Sequence, residues 1–213
     1  MINVVVLGGH GDGLVAAGVI HDMAQAGIAI RLAGYLNDAL SVGDLIHGAP
    51  VLGGTRDWRA LDDSHVFHVC LHKVGQMRQR SELIESFAIP DERLVSLIHP
   101  TATIASDVII QPGALIASHV TCQPGTKIGR YATVRAGANL GHDTVMEDFA
   151  YLGPNATLCG CARLLRGAHA GPNSVVIDGL QVGAFSVLAA GAAVMRNTET
   201  DSVWMGNPAR CVR

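Results

Sequence analysis

Residues 137–153, GANLGHDTVMEDFAYLG, set a histidine and an aspartate, His142 and Asp143, side by side in a stretch otherwise rich in small and apolar residues. A neutral imidazole, with an ordinary pKa of about 6.5, can take a proton from an attacking amine or hydroxyl near neutral pH. An adjacent carboxylate can orient the ring and raise its basicity. The chemistry that fits is acyl transfer from a thioester, where the nucleophile loses a proton as it attacks the carbonyl. Neighbours on a strand point to opposite faces, so Asp143 can assist His142 only if the chain turns a corner between them. On its own, an outward histidine is either solvated surface or one wall of a site, and the apolar flanks favour a covered wall.

A second group of candidates lies near the start. The segment GGHGDG, residues 8–13, follows the apolar run INVVVL. Its glycines would let the backbone approach a phosphate or a uracil-like group closely, or would simply make a positive-φ turn between strand and helix. As a dinucleotide fingerprint it is weak: Gly9-x-Gly11 has no glycine at position 14, and Gly11-x-Gly13-x-x-Ala16 begins late. Asp38, in the dipeptide Asn37-Asp38, could accept a hydrogen bond from a ribose or a base, or could be a surface turn. Five cysteines stand at 70, 122, 159, 161 and 211 with no repeated spacing. Cys159 and Cys161 have no companion pair, which suggests free thiols in a cytosolic protein rather than a metal or redox motif.

Two kinds of element must position these residues. Residues 1–95 alternate strand-like and helix-like patterns: INVVVLG, IRLAGYLND and HVFHVCL as buried strands, GLVAAGVIHDMAQAG and VGQMRQRSELIESFA as amphipathic helices. That order predicts a small parallel α/β domain. From Ile98 to Val194 the period becomes six. Every sixth residue from Ile98 is Ile, Leu, Val or Met, except Cys122 and Ala170. The positions four further on are small or Val, except Leu180. One large and one small inward residue per six fill a narrow interior, the pattern of a β-solenoid.

The hexads resemble those of the left-handed β-helix acyltransferases, which carry three hexads per coil, and the tail WMGNPARCVR resembles that family's closing segment. VVLGGHGDG, Asn37-Asp38, APVLGG and LIHPTATIA narrow the likeness to sugar O- and N-acetyltransferases with a small N-terminal nucleotide-binding domain. This group includes the bacillosamine-pathway, perosamine and sialic-acid enzymes. The resemblance covers the whole chain and implies a Rossmann-like α/β domain over 1–95, binding a nucleotide sugar, and a left-handed parallel β-helix acetyltransferase domain over 96–213.

It further implies an acetyl-CoA-dependent N-acetyltransferase acting on the amine of a nucleotide-linked amino sugar. His142 would be the general base and Asp143 the group that enhances it. Gly160 would donate a backbone N–H near the acetyl group, or merely make a tight corner, and Tyr151, Pro172 and Ala190 would contact acetyl-CoA. Gly8, Gly9, His10, Asn37, Asp38 and Arg135 would face the acceptor. Three positions depart from the family pattern: Tyr151 replaces a histidine, Arg135 an asparagine, and His72-Lys73 a Gly-Asn type loop. Arg135 adds charge near the acceptor, which keeps open O-acetylation of a sialic-acid-like sugar, while a non-catalytic nucleotide-sugar-binding scaffold is a further alternative. By the same resemblance the protein is a cytoplasmic homotrimer with sites between subunits.

Other classes are excluded. A net charge of −3 leaves no basic nucleic-acid face, and no apolar run reaches the length of a membrane span. The opening MINVVVLGGHG lacks a basic leader region and reads as a strand, not a signal peptide. No metal is expected: one coil from His142 stand Pro124 and Gly160, and one coil before His169 stands Tyr151, so no three-histidine cluster forms.

Overall fold

The apolar run after Met1 becomes the inner strand of a sheet because Val4–Leu7 are wholly buried. The computed structural model describes residues 1–213. Strand β1 (Ile2–Leu7) pairs in parallel with β2 (Ile30–Leu36) on one side and β5 (His65–Val69) on the other. Helix α1 (Asp12–Gln25) joins β1 to β2 and buries Gly13, Ala16, Val19, Ile20 and Met23, one helical stripe. It stops at Gly27, which takes φ 89° while the Ile28 N–H returns to the Met23 carbonyl. A short hairpin, β3 (Leu45–Ile46) and β4 (Ala49–Gly53), completes the sheet in the order β3-β4-β2-β1-β5. Helix α2 (Met77–Ser86) follows β5.

The expected strands and helices are present, and the hairpin is an addition. β4 lies parallel to β2 and β3 antiparallel to β4, so the sheet is not wholly parallel. The unit has one strand-helix-strand step, β1-α1-β2, and passes from β2 to β4 without a second helix. Strands of two and five residues show too little alternation to be read from periodicity.

From Leu97 onward the six-residue phase is a β-solenoid of the left-handed type, built from seventeen two-residue strands up to Val194. Each strand up to Val175–Val176 pairs in parallel with the one 18 residues later, as Thr121 does with Asn139 and Asn139 with Thr157. Three hexads therefore make one triangular coil. The first side holds Thr133–Val134 and Tyr151–Leu152, the second Asn139–Leu140 and Thr157–Leu158, the third Val145–Met146 and Arg163–Leu164. The aliphatic residue of each hexad is the second of its strand, and those from Ile116 to Val194 are at most 2% exposed. Three of the inward hydroxyls are satisfied locally: Thr126, Thr144 and Ser174 each donate to the carbonyl three residues back.

The two parts share apolar cores. Tyr131 and Phe149, stacked 5.0 Å apart at the corner between third and first sides, pack with Phe87 and Ile89 beyond α2. Leu97 and Leu115 of the first side pack with the core under α1. At the far end Val203–Met205 adds to the first side beside Val187–Leu188, and buried Trp204 closes the interior. No helix is long and apolar enough to cross a membrane.

Candidate functional site

His142 sits where the chain bends from the second side to the third. Leu140 and Thr144 point inward, and the turn is made by Asp143, which adopts φ 57°. Left-handed backbone at a residue other than glycine costs about 1 kcal/mol or more, and Asp tolerates it better than most. The Asp143 N–H is held by the Pro124 carbonyl at 2.9 Å. This corner brings neighbouring side chains to the same side, and His142 Nδ1 lies 3.0 Å from Asp143 Oδ2.

A carboxylate only accepts, so in the neutral imidazole the shared proton is on Nδ1 and Nε2 carries the free lone pair. Nε2 lies over Gly160, one coil further on. A side-chain carbon at 160 would collide with Nε2 and come within 2.8 Å of Cε1. Gly160 has no positive φ, so what its position requires is space. Its N–H donates to no group of the chain and is free for an oxyanion. The arrangement can therefore deprotonate a nucleophile beside an unused backbone donor. Within one chain this corner is open: the apolar flanking residues fill the interior, and the His142 and Asp143 side chains are 59% and 66% exposed.

Cys161 escaped the sequence reading, which paired it with Cys159. It stacks one coil above Asp143, takes φ 59°, and its N–H bonds the His142 carbonyl at 2.8 Å. Its sulfur, a His142 ring nitrogen and an Asp143 oxygen all lie within 4.8 Å of one another. The 18-residue spacing was the available signal.

The remaining candidates lie elsewhere on the chain. Tyr151, on the first side, stacks on His169 with ring centroids 4.4 Å apart. Burial holds His169 neutral, with its pKa lowered to about 4. Both border a cavity of about 200 Å³ with Asp12, His72, Lys73 and Met77. His72 Nε2 is buried without a partner, and burial lowers the pKa of this imidazole too. Arg135 is ion-paired with Asp12, the first residue of α1, so its charge is already matched within the chain. Nothing local predicted that pair, which spans 123 residues. Pro172 and Ala190 are exposed, one coil apart, at the corner between first and second sides.

The glycine-rich loop and the Asn37-Asp38 turn are tied together. Asn37 Nδ2 donates to the Gly8 carbonyl at 3.0 Å, and its Oδ1 accepts from the Ala39 N–H at 2.8 Å. A side chain at Gly9 would meet Asn37 Nδ2 at 2.6 Å, and one at Gly8, at φ 133°, would meet the Cys70 carbonyl oxygen at 2.8 Å. Both Asp38 oxygens accept from Thr55, at 2.7 and 2.8 Å. His10 is exposed at the mouth of this loop.

α1 flanks the corner between first and second sides, through Asp12–Arg135 and through Asp22, 2.9 Å from His99. The loop, Pro172 and Ala190 thus share one flank. His142 and Gly160 occupy the next corner, six residues or at most roughly 20 Å away at about 3.3 Å per residue.

No protein-family model matches the sequence, and no curated protein is similar to it in sequence. Solved structures are similar over the whole chain. Perosamine N-acetyltransferase from Caulobacter crescentus, in complex with CoA and GDP-perosamine, is 26% identical, with 99% of this chain and 97% of that one covered at a TM-score of 0.86. The acetyltransferase domain of PglB from Neisseria gonorrhoeae, in complex with acetyl coenzyme A, is 25% identical with 99% of both chains covered, also at 0.86. WeeI from Acinetobacter baumannii, at 21% identity and a TM-score of 0.83, has the same fold. The first two of these neighbours are acetyltransferases, one of them in complex with CoA and GDP-perosamine, in keeping with the sugar acetyltransferases that the hexads resemble.

Proposed function

We propose that the chain is an acetyl-CoA-dependent N-acetyltransferase whose acceptor is the amine of a nucleotide-linked amino sugar. The observation that carries this is the His142–Asp143 pair at 3.0 Å, with Nε2 over Gly160. The neutral acceptor amine attacks the thioester carbonyl of acetyl-CoA. His142 Nε2 takes the amine proton, Asp143 holds the ring and stabilises the imidazolium, and the Gly160 N–H faces the developing oxyanion. Collapse of the tetrahedral intermediate expels the CoA thiolate. Perosamine N-acetyltransferase, whose structure holds CoA and GDP-perosamine, supports an amine acceptor of this class.

The unit over 1–95 is the nucleotide-sugar-binding domain in this reading, with Gly8, Gly9 and His10 at the ligand and Asn37 and Asp38 shaping the loop. Residues 96–213 form the acetyltransferase domain and its closing segment. Acetyl-CoA meets Tyr151, Pro172 and Ala190 from one copy and the His142 corner from another. The separation of these groups on one prism, together with the open His142 corner, supports a homotrimer with sites between subunits. Arg135, matched by Asp12, positions α1 against the solenoid and leaves little charge for an anionic acceptor. That disfavours the sialic-acid alternative.

Replacing His142 with Ala should lower acetyl transfer to nucleotide amino sugars by about 10²–10⁴-fold without lowering the thermal midpoint, because the side chain is exposed. An unchanged rate would refute the base assignment. A wild type that consumes no acetyl-CoA with UDP-, GDP- or dTDP-linked amino sugars would refute the reading as a whole.

A further inference from the structure

The corner that carries His142 has the donor set of a metal centre. We propose that His142, Asp143 and Cys161 bind a divalent transition-metal cation of the Zn²⁺ class, with one coordination position open. Imidazole nitrogen, carboxylate oxygen and thiolate sulfur are the three ligand types that Zn²⁺ takes, and three protein ligands with a free position is a common arrangement. A His142 ring nitrogen, an Asp143 oxygen and the Cys161 sulfur lie within 4.8 Å of one another, and Nδ1 is the nitrogen on the Asp143 side. Around a tetrahedral ion with bonds of about 2.0–2.3 Å they would stand about 3.3–3.7 Å apart. His142 Nδ1 and Asp143 Oδ2, at 3.0 Å, need only open slightly, and Cys161 only close in.

The backbone beneath is fixed by the coil ladder. The Asp143 N–H is held by Pro124 and the Cys161 N–H by His142, at 2.9 and 2.8 Å. Asp143 and Cys161 both take left-handed backbone, φ 57° and 59°, at equivalent points of successive coils, so their side chains leave in the same direction. In this proposal the backbone stays in place and the side chains rotate onto the metal. A carboxylate and a thiolate balance the charge of a divalent cation. Cys159, two residues earlier, is not part of this cluster, and a histidine-triplet search misses a mixed set drawn from two coils.

Binding places the metal on the Nδ1 lone pair, releases the Cys161 thiol proton to solvent, and leaves the imidazole proton on Nε2. Nε2 then has no lone pair to accept a proton, so the metal-bound form is an inactive base. The binding rests on the geometry alone. The inhibition rests on the acetyltransferase reading.

The test is a Co²⁺ titration of the tag-free protein, followed by displacement with Zn²⁺. Wild type should take up one equivalent and develop a thiolate-to-cobalt charge-transfer band that Zn²⁺ removes. The band should vanish in Cys161→Ser, persist in Cys159→Ser, and require at least about tenfold more metal in His142→Ala. No band in wild type, or a band that survives Cys161→Ser, overturns the site. In the activity arm, Zn²⁺ should inhibit wild type at a concentration at least about tenfold below that needed for Cys161→Ser. Metal binding with undiminished turnover overturns the inhibition. Metal binding to a protein with no acetyl transfer at all supports the site and refutes the acetyltransferase reading instead.

Discussion

Gly160→Ala tests the catalytic geometry more sharply than removal of His142, because it adds one carbon and deletes nothing. The new methyl would collide with His142 Nε2 and stand 2.8 Å from Cε1. Carbon contacts settle at about 3.5–4.0 Å, so the ring must retreat by about 1 Å. The imidazole is 59% exposed and has room to swing outward. The cost to folding is that of an off-rotamer side chain, about 0.5–1.5 kcal/mol, which is a few degrees at most in the melting midpoint of a chain this size. The cost to transfer is larger, since a misplacement of about 1 Å at a reacting group costs roughly 10²-fold, or about 2.7 kcal/mol of barrier. Gly141→Ala is the contrast: its new carbon would meet the Gly160 nitrogen at 2.8 Å and the Cys159 carbonyl carbon at 2.9 Å, backbone that cannot yield. It should lower the melting midpoint well below that of Gly160→Ala. Rates come from CoA release with a nucleotide amino sugar, stabilities from thermal unfolding, and ring placement from the His142 Cε1–H resonance. A Gly160→Ala enzyme within about twofold of wild type, with that resonance unmoved, would refute the placement of Nε2 over Gly160.

Three further outcomes follow from the interior. His68 and His169 are buried with pKa values lowered to about 4, and His72 is lowered as well, each chiefly by burial. The unfolded chain takes up protons that the native state refuses, so stability is full above about pH 6.5 and falls as pH drops toward 4, by on the order of 3 kcal/mol each for His68 and His169. Denaturant midpoints should decline already between pH 6.5 and 5, where carboxylates remain ionised, and a flat profile there would contradict their neutral burial. The Tyr35 hydroxyl is buried without a partner, so Tyr35→Phe should be neutral or stabilising by about 1–2 kcal/mol in urea unfolding; a loss would reveal a missed bond. Leu158→Ala, in the middle of the solenoid core, should cost about 2–5 kcal/mol by the same measurement.

The solenoid was legible because its constraint is local and repeated: each coil states again which residue faces in, so Leu140, Leu158 and Val176 announce one column. The same periodicity placed His142 outside the interior, and the corner it required between His142 and Asp143 is there. What stayed hidden depends on separations that the hexad does not display by itself. Arg135 and Asp12 meet only because α1 docks beside the corner between first and second sides. Cys161 joins His142 through the coil ladder and not through its neighbour Cys159. The hairpin of Leu45–Ile46 and Ala49–Gly53 was too short to show a period, and the tie between Asn37 and the Gly8 carbonyl belongs to tertiary contact alone.

The 18-residue ladder also constrains how this chain can change in length. His142 over Pro124 and under Gly160, and Asp143 over Gly125 and under Cys161, are register relations. One residue inserted into a strand upstream would turn every later column by one place, exposing leucines and separating the imidazole from its glycine. Variation in length is therefore confined to whole coils or to excursions that leave and re-enter at the same corner. A longer or shorter relative should differ by multiples of 18 or carry its extra residues as a loop on an edge of the prism. Between Pro124 and Asp178, the stretch that builds the His142 corner, it should differ by nothing.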